Sequence, residues 1–278
     1  VTHRLPSVRR LQPSIGAEIG GIDLSRPLSE EVCAHLNSAL AEHKVLFFRD
    51  QALSHDQYVA FGRCFGEVVP RPGARDARTA EIGDIASDGK LKGGTDIWHS
   101  DDSYTEAPLA GSLLRACLLP SLGGDTLFAS ATAAYESLPD AIKDRIDGLH
   151  AVHDAEIGYA KAPRELVNDQ TLKHIAAAYP PRSHPLVCLH PKTGKKLVYA
   201  NEAFTTRIVG IEPDESAELL RRIFDQFRRP EHQVRFRWRV NSIAVFDNLA
   251  VQHYAVADYD EPRRLEKILL KGGSLIAA

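Results

Sequence analysis

The chain has 278 residues, 44% hydrophobic and 26% charged, with a formal net charge of −3. That balance excludes a disordered chain, and without a basic face or a long run of one sign a nucleic-acid partner is not expected. No apolar stretch approaches the roughly 18 residues that a membrane-spanning helix needs, and no leader pattern opens the sequence. Cys33, Cys64, Cys117 and Cys188 lie far apart without a CxxC pair, so reduced thiols and a cytoplasmic location are expected.

Taken in order, Ser29 to His43 reads as a helix. Ser29 can cap it, Glu30 and Glu31 suit the first turn, and Val32, Leu36, Ala39 and Leu40 share one face. Lys44 to Phe48 reads as a buried strand. Ser54 and Gln57 form a capping box for a second helix running towards Phe65. From Gly66 to about Thr95 the periodicity lapses, and a long surface loop is predicted.

Gly111 to Leu119 and Asp125 to Ala129 read as strands, followed by a helical stretch from Ala131 to Asp147. Leu186 to His190 and Lys196 to Ala200 flank a Pro-Lys-Thr-Gly-Lys turn and predict a hairpin. Pro213 to Arg229 is amphipathic, with Leu219, Leu220, Ile223 and Phe227 on its apolar side. Val234, Phe236, Trp238 and Val240 alternate with Arg235, Arg237 and Arg239, as in a half-buried strand. Ser242 to Phe246 and Leu265 to Leu270 are further strands. The pattern predicts one domain over 1–278, mainly β with peripheral helices, as in a sandwich or jelly roll. The stretch from Glu156 to His184 is long enough for a lid.

The sharpest local feature is Trp98-His99-Ser100-Asp101. Residues i and i+2 of a strand share a face, so His99 and Asp101 can offer an imidazole and a carboxylate to one ion. Alone, the pair is weak evidence and reads as a surface His beside a solvated Asp. A second His changes the balance: His253 follows an apolar strand ending in Phe246-Asp247-Asn248, and Arg263 and Arg264 come ten and eleven residues later. Two His and one carboxylate make the facial triad of non-haem Fe(II) oxygenases, and an Arg can hold a carboxylate bidentately. The same three ligands would also serve a zinc hydrolase. A jelly-roll binding protein without catalysis is the third class.

At these residues the sequence resembles the taurine dioxygenase family of Fe(II)/2-oxoglutarate-dependent dioxygenases. The resemblance runs over nearly the whole chain. It takes in Gly16-Ala-Glu-Ile-Gly-Gly-Ile-Asp23, Trp98-His-Ser-Asp101, Gly123-Gly-Asp-Thr126 and His190-Pro-Lys-Thr-Gly-Lys195. It continues through Asn201-Glu-Ala-Phe-Thr-Thr-Arg-Ile208, Asp247-Asn248, Gln252-His-Tyr-Ala255 and Arg263-Arg264. It implies a double-stranded β-helix with helices packed outside.

The resemblance also implies His99, Asp101 and His253 as iron ligands, and Thr126 and Arg264 as partners of the distal carboxylate of 2-oxoglutarate. Arg263, facing the other way on its strand, is then a surface residue. The expected reaction hydroxylates a small organic substrate with O2 and converts 2-oxoglutarate to succinate. Hydroxylation beside a heteroatom would cleave a C–S or C–O bond. Intact Thr126 and Arg264 favour this reading over a hydrolase. A homo-oligomer, dimer or tetramer, is expected.

Taurine-cleaving members carry a second Arg four residues beyond the first, and counting from Arg264 reaches Ile268. An apolar side chain cannot neutralise an anion, so taurine is not expected to be the substrate. A bulkier, partly apolar substrate is expected instead, its anion meeting an Arg of the loop that holds Arg71, Arg75 and Arg78, or Lys267. Tyr104, Phe204 and Ile268 are the further pocket candidates. His150 and His153 point to opposite faces if they lie on a strand, and His184 and His190 flank prolines as structural residues.

Overall fold

The computed structural model describes residues 5–70, 80–90 and 94–278. Arg71, Arg75 and Arg78 lie outside them. The strands in chain order are β1 (Ser7–Arg10), β2 (Ala17–Gly20), β3 (Val45–Phe48), β4 (Gly83–Ser87), β5 (Gly111–Leu118), β6 (Thr126–Ser130), β7 (His150–His153), β8 (Arg182–Pro185), β9 (Val187–Leu189), β10 (Lys196–Val198), β11 (Thr205–Ile208), β12 (Gln233–Phe236), β13 (Ile243–Asp247), β14 (Val251–Ala255), β15 (Arg263–Leu270) and β16 (Ile276–Ala277). The helices are α1 (Glu30–His43), α2 (His55–Arg63), α3 (Ala131–Glu136), α4 (Asp140–Ile146), α5 (Ala155–Tyr159), α6 (Asp169–Ala178) and α7 (Pro213–Phe227).

A seven-stranded sheet in the order β1-β2-β3-β13-β5-β15-β4 faces a three-stranded sheet, β12-β6-β14. Phe47, Leu114, Phe246 and Leu265 from the first meet Phe128, Val234, Phe236 and Val251 from the second in one buried core. Phe47 stacks on Phe236 with ring centroids 4.0 Å apart. The outer face of the large sheet is covered by α1 and α2, through Leu36, Leu40, Tyr58 and Phe61 against Leu113, Val245 and Ile268. A third core joins α3 and α7 to β9 and β10. The chain is thus mainly sheet with helices outside, as the alternating and helical periods imply.

Local chemistry sets the boundaries. Ser29 accepts from the Val32 amide, and Ser54 with Gln57 completes the capping box. The helix expected over Ala131 to Asp147 is broken: α3 stops at Glu136, and Pro139 opens α4 because its ring cannot continue a helix. The strand expected through Val240 ends at Phe236, although Trp238 remains buried. The long loop after Gly66 contains β4, an edge strand whose Gly-Asp-Ile-Ala-Ser carries too little apolar alternation to be legible.

The cysteine expectation is corrected. Cys33 and Cys64, 31 residues apart, form a disulfide that ties α1 to the end of α2. Sequence spacing could not show it, because the two meet only once both helices have packed on the sheet. Cys117 and Cys188 are free. Reduced thiols therefore no longer support a cytoplasmic location. Among the described residues no helix is long and apolar enough to cross a membrane.

Candidate metal centre and cosubstrate cavity

His99 and His253 exchange backbone hydrogen bonds, His99 N to His253 O at 3.1 Å and His253 N to His99 O at 2.8 Å. This isolated bridge, between His253 of β14 and His99 outside the named strands, places their rings with centroids 4.1 Å apart. Asp101 is two residues on. Asn248, fully buried, clasps it from both sides: Asn248 Oδ1 accepts the Asp101 amide at 2.8 Å and Nδ2 donates to the Asp101 carbonyl at 2.9 Å. One nitrogen or oxygen from each of His99, Asp101 and His253 lies within 4.8 Å of the others, and all three residues are buried.

The protonation pattern suits a metal. His99 Nδ1 lies 2.8 Å from the Ile97 carbonyl, which can only accept, so that nitrogen carries the hydrogen and Nε2 keeps its lone pair. That Nε2 is 3.8 Å from Asp101 Oδ1, and His253 Nε2 is 3.6 Å from the same oxygen. Burial lowers the pKa of both imidazoles, His253 well below the usual value, so both are neutral. Burial alone would raise the Asp101 carboxyl, but Lys267, His253 and His99 outweigh it and hold it well below the usual carboxylate range. Ser112 donates to Asp101 Oδ2 at 2.8 Å, and Lys267 Nζ approaches Oδ1 at 2.6 Å.

These residues open into a cavity of about 200 Å³. Thr126, Arg263, Leu265, Lys267, Asp102, Tyr159 and Phe204 also line it. The expectation for the arginine pair is reversed. Arg263 is 5% exposed and reaches the cavity, whereas the Arg264 side chain is 43% exposed and pairs with Asp84 at 2.9 Å. Arg263, Leu265 and Lys267 share the inner face of β15, so Ile268 points the other way, fully buried among the helix-side residues. Counting four residues from Arg263 reaches Lys267. The cation that residue 268 lacks is therefore present one position earlier, and the exclusion of taurine from residue 268 loses its basis. A one-residue shift in the reading of a strand exchanges its two faces.

Two glycines bring Thr126 and Arg263 together. Gly123 and Gly124 have φ of 80° and 72°, and a Cβ on Gly124 would lie 3.1 Å from the Arg263 side chain. Arg263 Nε donates to the Gly124 carbonyl at 3.0 Å, while Nη2 is buried with no hydrogen-bond partner among the described residues. Thr126 Oγ1 accepts from Trp238 Nε1 at 2.9 Å, which leaves its own hydrogen for another acceptor. A buried guanidinium with an open donor, beside an open hydroxyl, fits a carboxylate. Trp238 and Asn248 carry these roles without any sequence pattern of their own, beyond the run in which each stands.

Phe204 lines the cavity. Tyr104 sits behind it, with ring centroids 4.9 Å apart, and donates to Asp102 Oδ1 at 2.8 Å. Gly158 of α5 touches Phe204 so closely that a Cβ there would come within 2.1 Å of the ring. His153 is not a ligand: its ring contacts the Ser103 hydroxyl at 3.0 Å, and burial drives its pKa down to about 3. His190 faces Asp247 at 2.8 Å, a structural pair under the 192–195 turn. A larger cleft of about 480 Å³, lined by Lys44, His190 and Lys192, holds none of the triad.

The model of the "Taurine catabolism dioxygenase TauD, TfdA family" matches residues 7–269. An alkylsulfatase of Acinetobacter baylyi is 35% identical over 271 residues, covering 95% of this chain and 84% of that protein. An alpha-ketoglutarate-dependent sulfate ester dioxygenase of Pseudomonas putida is 34% identical over 268 residues, covering 93% and 87%. The crystal structure of a taurine dioxygenase from Burkholderia xenovorans superposes with a TM-score of 0.83 at 34% identity, covering 99% of this chain and 92% of that one. With the family model spanning nearly its whole length, the chain belongs to the taurine catabolism dioxygenase TauD, TfdA family.

Proposed function

We propose that the chain is an Fe(II)/2-oxoglutarate-dependent dioxygenase that hydroxylates a small anionic substrate, with cleavage of a C–O or C–S bond. Family membership and the names of the relatives support the reaction. The observation that carries the reading of this site is the buried Arg263 Nη2, without a partner among the described residues, beside Thr126 in the same cavity as the His99, Asp101 and His253 donors. A zinc hydrolase would have no use for that carboxylate cradle. The two facing sheets support assignment of the fold to the double-stranded β-helix.

In this reading His99, Asp101 and His253 hold iron(II), and Arg263 and Thr126 hold the distal carboxylate of 2-oxoglutarate. Iron so bound supplies the activation of O2, coupled to decarboxylation of 2-oxoglutarate to succinate and CO2 and to hydroxylation of a substrate C–H. Lys267 holds the substrate anion and turns the C–H next to the heteroatom towards the metal. Leu114, Leu265 and Phe204 keep that space apolar and dry. With α5 and α6, the segment over 156–184 serves as the lid, since Gly158 and Tyr159 of α5 line the same cavity. The net charge of −3 supports a small molecule over a nucleic acid as partner.

Sulfate esters are the favoured substrate class, since the two relatives carry those names. Hydroxylation beside the ester oxygen would release an aldehyde and sulfate. The test is succinate release with alkyl sulfates, alkyl sulfonates and aryloxyalkanoates, each compared with 2-oxoglutarate alone. Stimulation by alkyl sulfates is expected; stimulation by uncharged alkanes or esters alone would refute the role of Lys267.

A further inference from the structure

The larger cleft shares no lining residue with the metal cavity, and no step of the proposed reaction uses it. It holds about 480 Å³, within the range of about 300–1,000 Å³ usual for small-molecule sites. An adjoining hollow of about 200 Å³ shares Glu42, Lys44, Thr132 and Lys195 with it. Three lysines line the cleft: Lys44, which follows α1, and Lys192 and Lys195 in the turn between β9 and β10.

Neutral groups hold these cations in place. Asn37 Nδ2 donates to the Cys33 carbonyl at 2.9 Å and the Cys64 carbonyl at 2.8 Å, which leaves Oδ1 to accept from Lys192 Nζ at 3.0 Å. Lys44 has a left-handed backbone, with φ at 67°, and its Nζ donates to the carbonyls of Ser14 at 3.0 Å and Glu42 at 3.4 Å. Nδ1 of the buried His190 accepts from the amides of Lys192 at 3.3 Å and Thr193 at 3.1 Å, so the turn that carries both outer lysines is braced from beneath.

None of the three ammonium groups forms an ion pair among the described residues. An ammonium has three hydrogens to donate, so donors remain free on each of them. The charges are positioned but not neutralised. Burial, and after it the approach of Lys195, depress the pKa of Lys44, with Glu136 and Asp247 acting the other way. An anion between Lys44 and Lys195 would relieve their repulsion. Glu42 and Glu136 are exposed, and the buried Asp247 is engaged with His190. Three cations favour an anion with more than one charge. A phosphate monoester carries about −1.5 to −2 at pH 7, whereas a sulfate ester carries a single charge.

We propose that this cleft is a binding site for a phosphate dianion, free or as a small phosphate monoester, held by Lys44, Lys192 and Lys195.

The test is calorimetry without O2 on the full chain loaded with iron(II) and excess 2-oxoglutarate, so that the metal cavity is already filled. The probes are inorganic phosphate, methyl phosphate and methyl sulfate, the last two alike in shape and different in charge. Wild type should bind one phosphate or methyl phosphate per chain, methyl phosphate at least roughly tenfold more tightly than methyl sulfate, and both phosphates more weakly as NaCl rises. Tighter binding of methyl phosphate than of phosphate would support an ester as the occupant, and the reverse order the free ion. Lys192 and Lys195 are exposed, so Lys192→Gln with Lys195→Gln should fold normally, checked by thermal unfolding, yet bind methyl phosphate at least roughly tenfold more weakly. Lys267→Met, in the other cavity, should bind it as wild type does. No phosphate binding up to millimolar concentration, equal affinity for methyl phosphate and methyl sulfate, or undiminished binding in the double variant would overturn the proposal. Loss of binding in Lys267→Met alone would place the phosphate at the metal cavity and overturn it as well.

Discussion

Replacing Arg263 and Arg264 one at a time separates two neighbours that local sequence cannot tell apart. Arg263 is buried and lines the cavity, with Nε on the Gly124 carbonyl and Nη2 without a partner among the described residues. If it holds the cosubstrate carboxylate, Arg263→Ala removes a desolvated charge-assisted pair, a loss of about 2–5 kcal/mol. That corresponds to about 30-fold to several thousand-fold weaker 2-oxoglutarate binding. Arg264 makes an exposed pair with Asp84, worth about 0–1 kcal/mol to folding, and a half-buried one with Glu266, and it is not among the residues that line the cavity. Arg264→Ala should bind 2-oxoglutarate within about threefold of wild type. The assay is anaerobic calorimetry on iron-loaded protein, with thermal unfolding to confirm that both variants fold. Arg263→Lys should recover part of the loss, because one ammonium replaces the charge but not the fork. Weak binding by Arg264→Ala with normal binding by Arg263→Ala would refute the assignment of faces on β15.

Further outcomes follow from the same geometry. Lys267→Met should raise the KM for an alkyl sulfate by roughly tenfold or more while 2-oxoglutarate binding changes little, with Lys267→Arg retaining most of the affinity; unchanged KM in Lys267→Met would place the substrate anion elsewhere. His153 is neutral in the fold down to about pH 3 but takes up a proton near 6.5 when unfolded, so its contribution to stability is full above pH 6.5 and falls as the pH drops towards 3. At pH 5 the loss is about 2 kcal/mol. Urea unfolding of wild type and His153→Gln at pH 7 and pH 5 reads it directly: the acid-induced loss should shrink by about that amount in the variant, and an undiminished loss would assign it to other groups. Gly158→Ala should push the Phe204 ring and cost about 1–3 kcal/mol, with altered preference among alkyl chain lengths; unchanged stability and preference would show that the α5 contact does not shape the cavity.

Much of this arrangement was legible in the sequence where chemistry and period coincide. Ser29 and Ser54 announced their helices because a capping hydroxyl acts within three residues. That His99, Asp101 and His253 gather was legible because two imidazoles and a carboxylate fit one ion, and because His99 and Asp101 stand two residues apart. What stayed hidden depends on contacts between distant segments. The Cys33–Cys64 disulfide, the Asn248 clasp on Asp101 and the Trp238 bond to Thr126 join residues 31, 147 and 112 positions apart. The arginine pair was misread for a different reason. Period two says that Arg263 and Arg264 face opposite ways but not which faces in. That is settled only by β15 pairing with β4 and β5, and β4 itself was not visible in the sequence. The error at Ile268 is the same error counted four residues further on.

The most direct test of the central claim is the metal and oxygen stoichiometry of the triad. Anaerobic titration of the chain with iron(II) in the presence of 2-oxoglutarate, followed by O2 and quantification of succinate, should show one iron per chain and substrate-stimulated succinate. His99→Ala, Asp101→Ala and His253→Ala should each lose metal binding and succinate together. Succinate formation near the wild-type rate in any of the three, or tight metal binding by wild type with no succinate under any substrate, would contradict the claim.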